Sequence, residues 1–447
     1  MKISPRALPL QFFLVAMYMY LFVDVIRRFD GGLSYAVIIV DIFLLCSALC
    51  LYVQMYRKRI AVVASPVLGP SSLMVIIALA VMVSNLIGLM PSVFVFLLSL
   101  KVYVLPMLFM VFGMYLYQVI IDGEDCIKIV RELKKYSYVI MSIGLLQYLF
   151  SLFGISFLAP MEHSIHSWGR EEVELISSGF ASSKKYARML IFCSIFTIVI
   201  ASYHNIRIKW FHFFALVSVL ISGSRGCAFV FILFTVIFIY KNPEYLLIKH
   251  RKLILLLSAL PAVFLTRYLG ESYTYISFLF SMDDPFSFLK RIVMLMPLFM
   301  FDYTNEIFVF GLGASRYGVE TKLMPELREA VDPLILLLTP DFVSPVFGAV
   351  TFVDSGAFKF IVEFGYTGII IFLTMLSLAS FSFFTALFAR NRRILKFGVS
   401  FLAFSWVILF MKGHSMISDV VMSSFFYILL GILSAGRNHE KKNTNIL

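Results

Sequence analysis

The sequence predicts an all-α polytopic membrane protein with about 12 transmembrane helices and one large outer loop. Three observations carry that expectation. Apolar residues make up 61% of the 447 residues and charged ones 14%, more apolar surface than a soluble chain of this length hides, so the bilayer must serve as solvent. The apolar stretches are continuous and do not alternate with period two, which excludes a β-barrel and leaves helices, whose backbone groups are satisfied within each segment. The charges are also sorted by side, as the loops show.

Apolar runs of about 17–25 residues, with looser ends allowed for tilt, read as spans. They fall near 8–26, 33–55, 73–90, 92–120, 136–156, 186–203, 210–223, 226–240, 253–268, 357–388, 396–412 and 419–436. The stretch 73–120 admits a different split, and the pair between 210 and 240 is short. The first run lacks a small-residue cleavage site and ends in Asp24 and Arg27-Arg28, so it reads as a retained helix. This organisation gives a block of nine helices over 1–268 (with an outer loop at 157–184), a large loop over 269–356, and three helices with a tail over 357–447.

Orientation follows from the loops. The N-terminus, the loops at 57–59, 122–135, 204–209, 241–252 and 390–396, and the C-terminus hold 22 Lys/Arg against 6 Asp/Glu. The loops at 157–184 and 269–356 hold 7 against 15. The positive-inside rule puts the first set in the cytoplasm, and an even number of spans keeps both termini there. Arg27-Arg28 falls on the opposite side, but one short loop does not outweigh the rest. The same sorting accounts for the net charge of +12 without a nucleic-acid partner. Within the cytoplasmic set, Asp122–Lys135 reads as a short amphipathic helix, with Ile127, Val130 and Leu133 on one side and Lys128, Arg131, Lys134 and Lys135 mostly on the other. A surface helix on anionic lipid is the plain reading of it.

Four arginines stand out on the outer side: Arg188 at the head of the sixth span, Arg225 in Ser222-Gly-Ser-Arg225-Gly226, Arg291 in the large loop and Arg316 in its glycine-rich turn. An arginine at the membrane costs about 2.5–3.5 kcal/mol on insertion scales, and its planar fork suits phosphate or carboxylate. Together they suggest a diphosphate clamp, although each could instead snorkel to headgroups or pair with a loop carboxylate. The flanking glycines at Arg225 allow close backbone approach, and the helix that starts there supplies N–H groups.

Among the outer carboxylates Glu171, Glu172, Glu271, Asp283, Asp302 and Asp354, the last lies where the loop re-enters the bilayer. Partial desolvation there favours proton acceptance. An N-cap role for Asp354 or Ser355 fits the same position. Glu363 falls early in the tenth span and needs a partner such as one of the arginines, and Gly365 and Gly368 permit close helix packing. His163 and His166 lack further ligands for a metal, and His414 is a lesser base candidate. The five cysteines show no disulfide or metal spacing. No nucleotide-binding loop or hydrolase motif occurs, so a substrate must arrive already activated.

The order of these features resembles the bacterial O-antigen polymerase and O-antigen ligase superfamily. Three patterns carry the resemblance: Gly179-Phe-Ala-Ser-Ser-Lys-Lys-Tyr-Ala187-Arg188, Ser222-Gly-Ser-Arg225-Gly226, and Gly311-Leu-Gly313 followed by Asp354-Ser355-Gly356 and Glu363-Phe-Gly365-Tyr-Thr-Gly368. The patterns span about 170–370, and the topology covers the whole chain. The resemblance implies a GT-C-like fold in the bacterial inner membrane with a periplasmic active site, and a metal-independent glycosyltransferase without cofactor. It implies undecaprenyl-diphosphate-linked oligosaccharides as substrates, and leaves room for a chain-length regulator protein beside membrane lipid as partner.

Carried onto this chain, the pattern gives Arg188, Arg225, Arg291 and Arg316 the diphosphate, Arg225 and Asp354 the chemistry, and Ser224 and Glu363 supporting places. Ligases of the superfamily carry His, commonly followed by Asn, at the large-loop end. Asp354-Ser355 stands there instead, which favours a polymerase over a ligase. A flippase for the same lipid-linked sugar is the rival outside the family's chemistry.

Overall fold

The computed structural model describes residues 8–29, 35–58, 97, 99–122, 126–153, 155, 178, 180, 183–206, 208, 210–242, 356–389, 394–412 and 419–444. Every regular element among them is helical. The helices are α1 (Leu8–Phe29), α2 (Tyr35–Lys58), α3 (Phe109–Asp122), α4 (Cys126–Leu152), α5 (Ser183–Tyr203), α6 (Phe211–Ile221), α7 (Arg225–Lys241), α8 (Gly356–Phe388), α9 (Ile394–Lys412) and α10 (Val420–Thr444). Three stretches, Leu100–Ile121, Lys184–Tyr203 and Glu363–Phe388, are long and apolar enough to cross a membrane, and shorter apolar helices accompany them. The protein is membrane-associated. The expected spans near 73–90 and 253–268 and the large loop 269–356, except Gly356, lie outside the described residues, as does most of the outer loop 157–184.

The chain divides into two compact units, with boundaries inside α3, α8 and α9. In the first, α5 is the central element. Every residue from Tyr186 to Ala201 is buried, because the sequence is apolar on all sides and so suits a helix surrounded by others. Thr197 within it donates from Oγ1 to the Cys193 carbonyl one turn back, at 2.6 Å. Helices α4, α6 and α7 pack around it. Gly398 of α9 meets Val199 so closely that a Cβ there would overlap the valine. The α1–α2 hairpin joins through Tyr136 of α4, whose hydroxyl donates to the Met17 carbonyl at 3.3 Å and whose ring meets Tyr18 edge-on at 5.1 Å.

Two expectations change here. The segment after Asp122 is no separate surface helix: from Cys126 it runs unbroken into the apolar stretch as α4. Nothing between Lys135 and Tyr136 stops it, and extending a formed helix is far easier than nucleating a new one. Its buried stripe is Cys126, Ile129, Val130, Leu133 and Tyr136, while Ile127 is exposed with Lys128 and Arg131. Helix α6, with 11 residues, is only about 16 Å long. It is too short to cross the hydrocarbon upright, since Ser222 and Gly223, with φ 72°, turn the chain.

In the second unit, the long apolar run around residue 100 is irregular. Leu100–Val104 forms a π-helical turn, in which the Leu105 N–H reaches the Leu100 carbonyl, and Leu105–Leu108 continues as a 3-10 turn with Pro106 near its start. Proline has no N–H and crowds the preceding turn, so the α pattern breaks there and resumes at α3. Helix α10 packs along this break, locked by glycines: a Cβ on Gly113 would overlap the Ile428 carbonyl oxygen, and one on Gly431 would overlap that of Met110. Trp406 of α9 is buried, donates from Nε1 to the Met422 carbonyl at 3.0 Å, and stacks on Phe426 at 4.3 Å.

Helix α8 shows the opposite character from α5. Ile370, Leu373, Phe381, Phe384 and Phe388 are exposed along it, a surface that in a bilayer meets lipid tails. Gly365 does not act there as a packing glycine. With φ 60° and ψ −139° it breaks the helix, a conformation essentially reserved for glycine.

Candidate functional site

The head of α5 collects positive charge. Its first turn contains no acid but has Lys184 and Lys185, with Arg188 one turn on. Cations at a helix N-terminus oppose the macrodipole, since that end is already positive. Helix propensity alone does not account for them. Arg188 is only 5% exposed. Lys185 sits with Nζ 3.8 Å from the Tyr20 ring centroid, a cation–π contact that holds a charge beside apolar surface. Tyr20 in turn meets Phe180 at 6.0 Å, and Phe180 stacks on Tyr186 at 6.4 Å.

The chain leading into α5 is tied to α4. The Ser178 N–H donates to Gln147 Oε1 at 2.8 Å and its hydroxyl donates to the Ile140 carbonyl. Gly144 of α4 lies against the Tyr186 hydroxyl, where a Cβ would overlap it. These contacts fix where α5 begins and therefore the depth at which Arg188 sits.

The α6–α7 turn reaches the same end. Ser218 of α6 lies beside the Tyr186 hydroxyl, and Ser222 follows one turn later. The turn is built by its own residues. The Ser222 hydroxyl donates to the Val219 carbonyl at 2.6 Å and accepts from the Ser224 N–H at 3.3 Å, while Gly223 supplies the positive φ. Ser224 holds the N-cap position of α7 in extended conformation, and its side chain makes no capping bond. Arg225 and Gly226 therefore open α7 with N–H groups at its positive end. The structure thus brings the backbones of Arg188 and the Ser224-Arg225 turn to one end of the first unit. The side chain of Arg225 lies outside what is described, as do Arg291, Arg316 and Asp354.

The second unit holds Glu363, fully buried. Its carboxylate accepts a hydrogen bond from the Tyr103 hydroxyl, a partner that sequence reasoning did not name. The Tyr103 ring meets Phe364 edge-on at 5.0 Å and 82°. Two helix irregularities converge on this pair: Tyr103 belongs to the π turn and Glu363 stands two residues before the Gly365 break. An ionisable group among apolar helices is a functional candidate by default, and π turns concentrate at functional positions. The sequence did contain a signal for Tyr103, in Pro106 and Lys101 set within an apolar run.

The remaining candidates, Glu171, Glu172, Glu271, Asp283, Asp302, His163, His166 and His414, lie outside the described residues. Among the described residues no three His, Cys, Asp or Glu side chains group to hold a metal. No protein-family model, characterised protein or solved structure matches the chain.

Proposed function

We propose that the protein is a polymerase that joins undecaprenyl-diphosphate-linked oligosaccharide repeat units into O-antigen or a related surface polysaccharide. The reaction runs at the periplasmic face of the bacterial inner membrane, with both chain termini cytoplasmic. The observation that carries the reading is the burial of Arg188 at the head of α5, at the end where the Ser224-Arg225 turn opens α7. A buried guanidinium beside a helix N-terminus is suited to a diphosphate.

In this mechanism an acceptor sugar hydroxyl attacks the anomeric carbon of the lipid-linked chain. The new glycosidic C–O bond forms as the bond from that carbon to the diphosphate oxygen breaks. Lipid diphosphate leaves with the electron pair, and the hydroxyl proton passes to Asp354. Arg188 and Arg225, with Arg291 and Arg316 from the loop, stabilise the charge that develops on the leaving group, the role a preorganised electrostatic site performs. Ser224 and Glu363 take supporting places.

The test is Arg225→Ala and Arg188→Ala in the native host, with surface polysaccharide resolved by length. Loss of a polymerase leaves single repeat units on lipid A core. Loss of an O-antigen ligase leaves none attached, and an unchanged ladder rejects the arginine clamp. A second reading, a flippase for the lipid-linked sugar, draws on the buried Glu363 between two helix breaks, since broken helices around a buried carboxylate suit transport. Its loss also leaves none attached, but traps the lipid-linked units on the cytoplasmic face.

A further inference from the structure

We infer that α4 holds an anionic phospholipid lengthwise, its first turns taking the phosphodiester headgroup and its later turns an acyl chain. The inference does not depend on the polymerase reading, and every residue it uses belongs to the first compact unit.

One side of α4 stays open along its length. Lys128, Arg131 and Lys135 are exposed in the first turns, and Val139, Leu146 and Leu149 are exposed beyond them, with the small Ser142 between. Steps of three, four and seven residues keep these positions on one face of a helix. The stripe therefore changes once, from basic to apolar, between Lys135 and Val139. The other side of α4 is filled by protein, with Val130, Leu133 and Tyr136 buried there. The helix thus has no spare apolar side on which to lie flat on a membrane, and the stripe is the side open to lipid.

The two parts have lengths that suit a lipid. By helical rise the bases cover about 10 Å of helix, and the apolar part from Val139 to the exposed Phe150 covers about 16 Å. The hydrocarbon of one leaflet is about 15 Å deep, half of the bilayer core. A lipid anchored at the bases has exposed apolar helix beside its chain for that whole depth.

Charge selects the headgroup. From Cys126 to Lys135 the helix carries four bases, Lys128, Arg131, Lys134 and Lys135, against one acid, Glu132, which pairs with Lys135 at 2.7 Å. In the sequence Glu124 and Asp125 precede Cys126 and these bases follow it, so the basic turns are the ones next to the apolar part, at the level of a lipid phosphate. Each lysine or arginine at such a surface strengthens attraction to anionic lipid by about fivefold.

Aromatic residues mark the same level. Lys134 places Nζ 5.6 Å from the Tyr138 ring centroid, and Tyr138 meets Phe211 of α6 edge-on at 5.4 Å. Trp210, next to Phe211 in the chain, is exposed. Tyrosine and tryptophan gather at membrane interfaces because one end of each is apolar and the other polar. Here they stand near the point where the stripe turns from basic to apolar.

The test uses the full-length protein in nanodiscs of phosphatidylglycerol and phosphatidylethanolamine in equal amounts. Native mass spectrometry after release into detergent identifies the lipid retained. Wild type retains phosphatidylglycerol in preference, and sodium chloride releases it by screening. At equal ionic strength, inorganic phosphate displaces no more lipid than chloride does. Dihexanoyl phosphatidylglycerol, with the same headgroup and short chains, competes poorly. The triple variant Lys128→Gln, Arg131→Gln, Lys135→Gln loses the preference, and its affinity for phosphatidylglycerol falls about 100-fold at fivefold for each base. Thermal unfolding shows whether that variant is folded. The wild-type measurements need no variant and decide the matter if it is not.

Equal retention of the two lipids by wild type overturns the inference. So does a folded triple variant that keeps phosphatidylglycerol as wild type does. Full displacement by inorganic phosphate or by the dihexanoyl lipid means that a headgroup alone is bound, which also overturns it. Copies carrying Ser142→Cys that crosslink to one another in the membrane place a second copy of the chain on the stripe, with the same consequence.

Discussion

Lys241, the last residue of α7, donates from its ammonium to the carbonyl of Ala389 at 3.1 Å and to that of Ala386 at 3.4 Å. The two acceptors sit at the end of α8, where the last carbonyls lack intrahelical donors and the dipole is negative. The contact brings the ends of α7 and α8 side by side, and the basic loops 241–252 and 390–396 leave from there.

Single cysteines at Asn242 and Ala389 are therefore expected to react with a membrane-impermeant maleimide from the same side. Right-side-out and inverted vesicles compared on gels give the answer, and opposite sidedness rejects the pairing. Lys241→Met should destabilise the protein by about 1 kcal/mol, the usual scale for a cation at a helix C-terminus.

Gly113→Ala is expected to force α3 and α10 apart, because the Ile428 carbonyl occupies the space a Cβ needs. Overpacking of this kind costs about 1–3 kcal/mol. Thermal unfolding in detergent should show a lowered transition for Gly113→Ala and for Gly431→Ala. An exposed glycine changed to alanine in the same background provides the control.

Trp406→Phe keeps an aromatic ring between Phe410 and Phe426, which now stack on the indole at 5.2 and 4.3 Å. It removes the Nε1–H that the Met422 carbonyl accepts. A buried carbonyl left without its donor costs about 1–3 kcal/mol, so loss of stability exceeds what the smaller ring area alone explains. Trp406→Leu, which removes stacking as well, should be worse.

Cys126 is buried at the start of α4, before the apolar part of that helix. Burial pushes its thiol up to about 11. The thiolate is the nucleophile, so at pH 8 nearly all of the group is in its unreactive form, and reactivity rises only as pH approaches that value. Alkylation of Cys126 followed by mass spectrometry should be slow at pH 8 in the folded protein and fast after denaturation. Rapid labelling at pH 8 without unfolding contradicts the burial.

Arg188→Lys preserves charge at the head of α5 but replaces a planar fork with a point charge. Loss of long polysaccharide chains is expected even so, with folded protein retained in the membrane. A normal ladder with lysine means that charge alone suffices there.

The apolar runs that coincide with described residues are helical, because in hydrocarbon a continuous apolar stretch leaves the backbone no other solution, but their bounds differ where polar sequence joins them: the run expected from 136 begins at Cys126 and the one expected to end at 436 runs to Thr444. Arg188 was legible for a related reason: a charge within a run too apolar to tolerate it calls for explanation. Tyr103 was not, although Lys101 and Pro106 mark its run as unusual, because its partner lies 260 positions away.

What the sequence by itself determined is therefore local: which stretches are helical, which of them are apolar enough to cross a membrane, and which charges stand where charge is costly. Only the tertiary structure decided that α5 is enclosed while α8 is exposed, for both are apolar and composition does not distinguish a helix neighbour from a lipid tail. Only it joined the basic segment after Asp122 to the helix that follows, and made Gly365 a break where the sequence suggested a packing glycine. A glycine permits either outcome, so its sequence neighbours do not settle the choice, just as they do not disclose that Glu363 beside it accepts from Tyr103.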